Sequence, residues 1–214
     1  MNLPNKITLT RILMIPVFIL VFFLDAIPCN KIVAAIIFLV AALTDALDGH
    51  IARSRNLVTN LGKFLDPIAD KVLVSTAMVL LLAMKDSLFV PYFNGDALYI
   101  LTVICVAVIL AREFMISAFR QIAVTAGIVM AAEKLGKYKT ACQDLSLFVL
   151  FLAADLSGTV GLVFVSIGLA LFAIATVLTI HSGVSYIVKY RRVFKDAPTG
   201  NEKTEQPKET VSEN

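Results

Sequence analysis

Thr44-Asp45-Ala46-Leu47-Asp48-Gly49-His50-Ile51-Ala52-Arg53, then eight residues, then Gly62-Lys63-Phe64-Leu65-Asp66-Pro67-Ile68-Ala69-Asp70-Lys71: this stretch decides how the chain folds and what it can do. Long apolar runs flank it on both sides. Asp45 and Asp48 stand three apart and Asp66 and Asp70 four apart, so on helices each pair falls on one face. Ionisable side chains at membrane depth are costly and by default mark a functional site. Four carboxylates in such a setting need a cation to share.

Composition supplies the setting. Of 214 residues, 58% are hydrophobic and 16% charged, against roughly 25% charged in soluble domains. Mean hydropathy is +0.85. Repeated apolar runs close to the roughly 20 residues that cross a bilayer imply an all-α polytopic membrane protein, one helical domain over residues 1–195. No room is left for a large aqueous domain. The net charge of +3 is too modest to suggest nucleic acid as a partner. Cys29, Cys105 and Cys142 are isolated and odd in number, which predicts small buried hydrophobes, not a disulfide framework or metal spacing.

Six transmembrane helices are expected. Met1 to Arg11 is polar and leads into a first span over roughly Ile7 to Ala26. Asp25 and Pro28 make the end of this run a poor signal-peptide cleavage site, so the span is retained. The second, about Ile32 to Ala52, carries Asp45 and Asp48 near its end. The third, about Pro67 to Met84, carries Asp70 in its first turns, with Pro67 at an N-terminal position where its missing N–H costs nothing. Lys85 to Asp96 reads as a loop. The fourth span covers about Ala97 to Arg120 and the fifth about Tyr138 to Ala154, with Ala131 to Lys139 as a short polar connection between them. The sixth, about Val160 to Tyr190, projects past the bilayer. Residues 196–214 are rich in Pro, Glu, Lys and Thr without aromatics, which predicts a disordered cytoplasmic tail.

Charge orients the spans. Of the 19 Lys and Arg, all but Lys31 and Lys85 fall on the side that holds both termini and the even-numbered connections. That asymmetry predicts cytoplasmic termini. The Asp stretch, the Arg112–Arg120 segment and Lys134–Lys139 then share the cytoplasmic face, where every group capable of polar chemistry converges.

Clustered carboxylates without cysteine, and with His50 and His181 away from ligand spacing, suit hard cations such as Mg²⁺ or Mn²⁺. At such sites these ions commonly neutralise phosphate oxygens and polarise phosphorus. Gly49 and Gly62 remove side chains where a ligand can approach the backbone, although helix packing alone explains either one. Arg53 and Arg55 can meet phosphate, although each alone reads as a membrane-surface anchor. The joint spacing separates the two readings.

The pattern Asp45-x-x-Asp48-Gly49-x-x-Ala52-Arg53, eight residues, Gly62-x-x-x-Asp66-x-x-x-Asp70 resembles the signature of the CDP-alcohol phosphatidyltransferases, matching at all eight positions. At background frequencies of roughly one in ten to twenty per position, chance gives such a match about once in 10⁹ starts. Asn2-Leu3-Pro4-Asn5-Lys6-Ile7-Thr8, Ala111-Arg112-Glu113-Phe114 through Arg120, and Gly136-Lys137-Tyr138-Lys139-Thr140 resemble the branch whose acceptor is sn-glycerol 3-phosphate. The resemblance implies transfer of the phosphatidyl group from CDP-diacylglycerol to that acceptor, giving phosphatidylglycerophosphate and CMP. Other branches use inositol phosphate, serine, choline or phosphatidylglycerol.

The same resemblance implies roles for residues. Asp45, Asp48 and Asp66 would be metal ligands, and Asp70 would complete a two-ion site over the diphosphate. Asp70 is also the candidate general base toward the acceptor hydroxyl; alternatively it only binds metal, and the ion acidifies the hydroxyl. Gly49, Ala52, Arg53 and Gly62 would line the nucleotide pocket. Asn5 and Thr8 would reach it from the N-terminal segment, unless they cap a helix. Arg112, Arg120 and Lys137 would hold the acceptor phosphate, while anchoring at the membrane surface is the competing role for Arg120 and Lys137. The family further implies a homodimer among membrane lipids; the compact architecture and lack of a transit peptide point to a bacterial inner membrane, and the charge asymmetry turns the site toward the cytoplasm.

Two other classes keep intramembrane aspartates. A cation-coupled transporter would show repeated halves with broken helices, yet no second copy of the Asp stretch occurs after Asp70. An intramembrane prenyltransferase would need an aromatic-lined isoprenoid tunnel, whereas the Gly-x-x-Ala-Arg spacing favours a cytidine nucleotide.

Overall fold

The computed structural model describes the backbone of residues 3–54, 60–125 and 134–195, and the side chains at 9–44, 68–69, 71–121 and 136–188. The helices are α1 (Leu3–Phe23), α2 (Asn30–Ser54), α3 (Asn60–Ala83), the single turn α4 (Lys85–Leu88), α5 (Ala97–Thr125), α6 (Lys134–Ala153) and α7 (Gly158–Lys195). No strand occurs among the described residues. Short connections make antiparallel neighbours of α1 and α2 and of α6 and α7, and α2 also packs on α6, α1 on α3 and α5 on α7.

The α5 stretch Ala97–Gln121 and the α7 stretch Gly158–Val188 are each long and apolar enough to cross a bilayer. Shorter apolar stretches occupy Leu9–Phe23, Asn30–Thr44 and Lys71–Ala83. The outward surface is apolar too, with Leu13, Leu20, Val79, Ile104 and Val177 all more than half exposed. Such a surface is an aggregation hazard in water but is solvated by lipid.

Between hydrocarbon and a helix interior there is little hydrophobic gain, so close packing must hold the bundle together. Two devices achieve it. Phe18 of α1, Phe38 of α2 and Phe151 of α6 meet at centroid distances of 5.5 to 6.4 Å, and Phe22 joins Phe151 at 5.7 Å. Each such pair contributes about 0.5–1.5 kcal/mol beyond its area. The second device is on α7, where Gly161, Gly168, Ala175 and Ser182 recur every seven residues, interleaved with Val165, Phe172, Thr179 and Tyr186. All eight are buried. A repeat of small and larger side chains in steps of four and three is a knobs-into-holes seam, and here it faces α6 and α5.

The end of the bundle away from the Asp stretch is closed by polar contacts. Asp155 Oδ2 accepts the Ile32 N–H at 3.0 Å at the start of α2, and Tyr92 donates to the Leu156 carbonyl at 2.9 Å. Lys85 pairs with Asp96 at 2.8 Å and lies over the Tyr99 ring.

Four expectations change. α3 starts at Asn60, so Pro67 lies inside the helix and Gly62 and Asp66 are helical. An interior proline costs about 3 kcal/mol, and packing of α3 on α1 and α2 outweighs that local preference. α6 starts at Lys134, so Lys137 and Lys139 stand on a helix and not in a connection; Lys and Leu are good helix formers once a partner buries one face. The loop from Lys85 opens with the turn α4. Cys29 is exposed, with φ of +55°, and is no buried hydrophobe. The expected tail, residues 196–214, lies outside the described residues.

Candidate active site

Asp45 and Asp48 stand on α2 and Asp66 and Asp70 on α3, two helices that pack together. Asp48 is six residues before Ser54, where α2 ends, and Asp66 is six residues after Asn60, where α3 begins. At 1.5 Å per residue both lie about 9 Å from the same end of the bundle. Carboxylate is the donor type that suits a divalent hard cation, and each of these two helices carries two in its sequence. Gly49, Ala52 and Arg53 come next on α2, Gly62 precedes on α3, and Asn5 and Thr8 are on α1. The side chains of these ten residues lie outside the described set.

Around this level the described side chains form a polar layer. Arg11 of α1 is 1% exposed, and its Nε donates to the Ala41 carbonyl of α2 at 3.2 Å. Ala41 precedes Asp45 by four residues, about one turn of α2. Sequence reasoning missed this arginine, whose signal was a cation followed at once by an apolar run.

On the other side of α3, Arg112 of α5 donates from Nη1 to Glu113 Oε1 at 3.1 Å and from Nη2 to Ser182 Oγ of α7 at 2.6 Å. Its Nε is buried without a hydrogen-bond partner. Gly183 gives the arginine its room, because a Cβ there would lie 3.1 Å from Arg112 Cγ. Lys139 of α6 is buried and its ammonium pairs with the same Glu113 carboxylate oxygen. One carboxylate thus serves two cations, and the trio keeps a net positive charge at the edge of the apolar core.

A small cavity of about 30 Å³ opens beside the trio. Its polar wall combines Lys71 and Ser75 of α3, Glu113 of α5, and Lys139, Thr140 and Gln143 of α6. Lys71 directly follows Asp70, so the cavity starts where the acidic pair of α3 ends. Lys71, Ser75 and Phe114 also border an apolar groove of about 500 Å³, which runs along α3 past Val79 and is walled by Ile19 and Phe23 of α1. A polar pocket and a lipid-facing groove therefore share one edge.

Of the three cations expected to hold the acceptor phosphate, Arg112 is central to this cluster, while Arg120 and Lys137 are exposed. Lys139, two residues beyond Lys137, is the lysine turned inward. The inward face of α6 runs Lys139, Gln143, Leu147, Leu150, and that helical period would have selected Lys139 from the sequence.

Comparison with known proteins identifies the family. The family model described as CDP-alcohol phosphatidyltransferase matches residues 1–182. A protein of Rickettsia bellii named CDP-diacylglycerol–glycerol-3-phosphate 3-phosphatidyltransferase is 38% identical over 193 residues, covering 90% of this chain and 97% of its own. Proteins of the same name from Bacillus subtilis and Shigella flexneri are 36% and 38% identical over 205 and 197 residues. Each match covers 91% of this chain, with 97% and 98% of the relative.

Proposed function

This chain belongs to the CDP-alcohol phosphatidyltransferase family, and we propose that it transfers the phosphatidyl group of CDP-diacylglycerol to sn-glycerol 3-phosphate, forming phosphatidylglycerophosphate and releasing CMP. One observation carries this reading: the cavity wall shared by Lys71, Glu113 and Lys139 joins a net-positive cluster to the helix bearing Asp66 and Asp70. Joining a diphosphate-linked lipid to a phosphorylated alcohol needs that pairing. Carboxylates gather cations over one substrate, and fixed cations hold the other.

The six long helices cross the bacterial cytoplasmic membrane, with both termini and the site on the cytoplasmic side and residues 1–195 as one domain. A second copy completes a homodimer. Asp45, Asp48 and Asp66 hold the divalent ions, Mg²⁺ or Mn²⁺, with Asp70 completing a two-ion site. Those ions, when bound, offset the charge of the diphosphate and of the departing CMP. Asp70 accepts the proton of the acceptor hydroxyl as its oxygen attacks the β-phosphorus. The new P–O bond forms on the lipid phosphate while its bond to the oxygen bridging to CMP breaks.

Gly49, Ala52 and Gly62 let the nucleotide approach the backbone, Arg53 meets its phosphate, and Asn5 and Thr8 close the pocket from α1. Arg112 holds the acceptor phosphate, which satisfies its buried Nε. Arg120 and Lys137 approach from the surface, and Lys139 fixes the field from within. An acyl chain runs along the apolar groove bordered by Lys71 and Phe114.

The test is an acceptor panel. Purified protein with CDP-diacylglycerol and Mg²⁺ should release CMP with glycerol 3-phosphate, in step with phosphatidylglycerophosphate. Release with serine or inositol phosphate instead would overturn the choice of acceptor.

A further inference from the structure

Gln143 is 2% exposed, and its Oε1 has no hydrogen-bond partner. A buried amide oxygen left unpaired costs about 1–3 kcal/mol, so its place in a wall that also holds Lys139 and Lys71 asks for a ligand. The neighbours are already committed. Glu113 is engaged by Lys139 and Arg112, and the Thr140 hydroxyl donates to the Gly136 carbonyl at 3.1 Å.

Chemistry narrows the ligand. An amide oxygen only accepts, so it repels a phosphate oxygen and attracts an O–H. The cavity of about 30 Å³ has room for one hydroxyl or one water. Its walls join the residue after Asp70, at one side, to the partner of Arg112, at the other. Glycerol 3-phosphate has a hydroxyl in the corresponding place: its C2–OH lies between the phosphate that Arg112 holds and the less hindered primary hydroxyl that attacks.

We propose that Gln143 accepts a hydrogen bond from the C2 hydroxyl of the acceptor and makes this enzyme select a phosphorylated polyol over an alcohol phosphate lacking that hydroxyl. The proposal rests on the function above and names the group by which that site recognises its acceptor. The deoxy analogue leaves the buried Gln143 oxygen without the partner that the C2 hydroxyl supplies, so discrimination arises from loss of the partner and not from a clash.

The experiment compares kcat/KM for glycerol 3-phosphate and for 3-hydroxypropyl phosphate, its analogue without the C2 hydroxyl. It uses full-length protein in detergent with CDP-diacylglycerol. The wild type should favour glycerol 3-phosphate roughly 10- to 100-fold. Gln143→Met, similar in length without a strong acceptor, should bring the two within about 3-fold, while Gln143→Glu, which retains an acceptor oxygen, should keep the preference. Equal use of both acceptors by the wild type overturns the proposal and needs no variant to fold. Full retention of the preference in Gln143→Met overturns it as well, and means that a buried water is all the cavity holds. Absence of any CMP release with glycerol 3-phosphate marks failure of the functional reading instead.

Discussion

Arg112 Nη2 lies 2.6 Å from Ser182 Oγ, so the arginine of α5 is held in place by α7, 70 residues later in the chain. With Glu113 on Nη1 at 3.1 Å, two of its three nitrogens are fixed before any substrate arrives. A guanidinium held this way is an oriented anion receptor, because little rotamer freedom remains to be lost on binding. Arg112→Ala should raise the KM for glycerol 3-phosphate about 100-fold, and Ser182→Ala, removing one neutral partner, about 3- to 10-fold. Steady-state kinetics in both substrates checks this. If CDP-lipid use collapses while the glycerol 3-phosphate requirement stays unchanged, Arg112 belongs to the other half of the site.

Gly183 tests the same geometry by crowding. A Cβ there would meet Arg112 Cγ at 3.1 Å and Nε at 3.5 Å, both in a flexible side chain that can yield. Gly183→Ala should therefore displace the guanidinium at a stability cost under about 1 kcal/mol, while raising the same KM by about 3- to 10-fold. Melting curves read beside the kinetics separate the two effects.

The Glu113 carboxylate neutralises Lys139, whose side chain is 4% exposed. Glu113→Gln leaves that ammonium buried without a counter-charge and should destabilise the protein by about 2–4 kcal/mol. Adding Lys139→Met should restore part of the loss. Thermal unfolding in detergent measures both, and additive losses in the double variant would show the pair to be uncoupled.

At Gly168 the expectation is purely mechanical. A Cβ there would stand 2.6 Å from Leu150 Cγ, within the seam between α7 and α6. Gly168→Ala should lower stability by about 1–3 kcal/mol, with KM for both substrates unchanged. A shift in either KM would mean that the seam reports to the site.

The Asp stretch made the family legible, because four carboxylates inside apolar sequence admit few explanations; the side chains of those four residues lie outside the described set. Helix ends were less legible. Pro67 is a strong local start signal, and only the packing of α3 against α1 and α2 carries the helix back to Asn60. Lys137 and Lys139 look alike as letters; which one is buried depends on the rotation of α6, and that is fixed by Glu113 on a different helix. Arg11 sits where polar sequence turns apolar, and its burial depends on the carbonyl of Ala41, 30 residues away. The seven-residue spacing of Gly161, Gly168, Ala175 and Ser182 was present in the sequence throughout, but it acquires meaning only once α6 and α5 are known to lie against it.

The proposed function depends most on divalent ions being shared by α2 and α3, and the direct test is CMP release from CDP-diacylglycerol and glycerol 3-phosphate under chelation and in the four single Asp→Asn variants at 45, 48, 66 and 70. Chelator should stop release and added Mg²⁺ or Mn²⁺ should restore it, while each variant should fall by at least about 10³-fold with its melting temperature close to wild type. Release at the wild-type rate in the presence of chelator, or in a variant lacking any one of the four carboxylates, would contradict it.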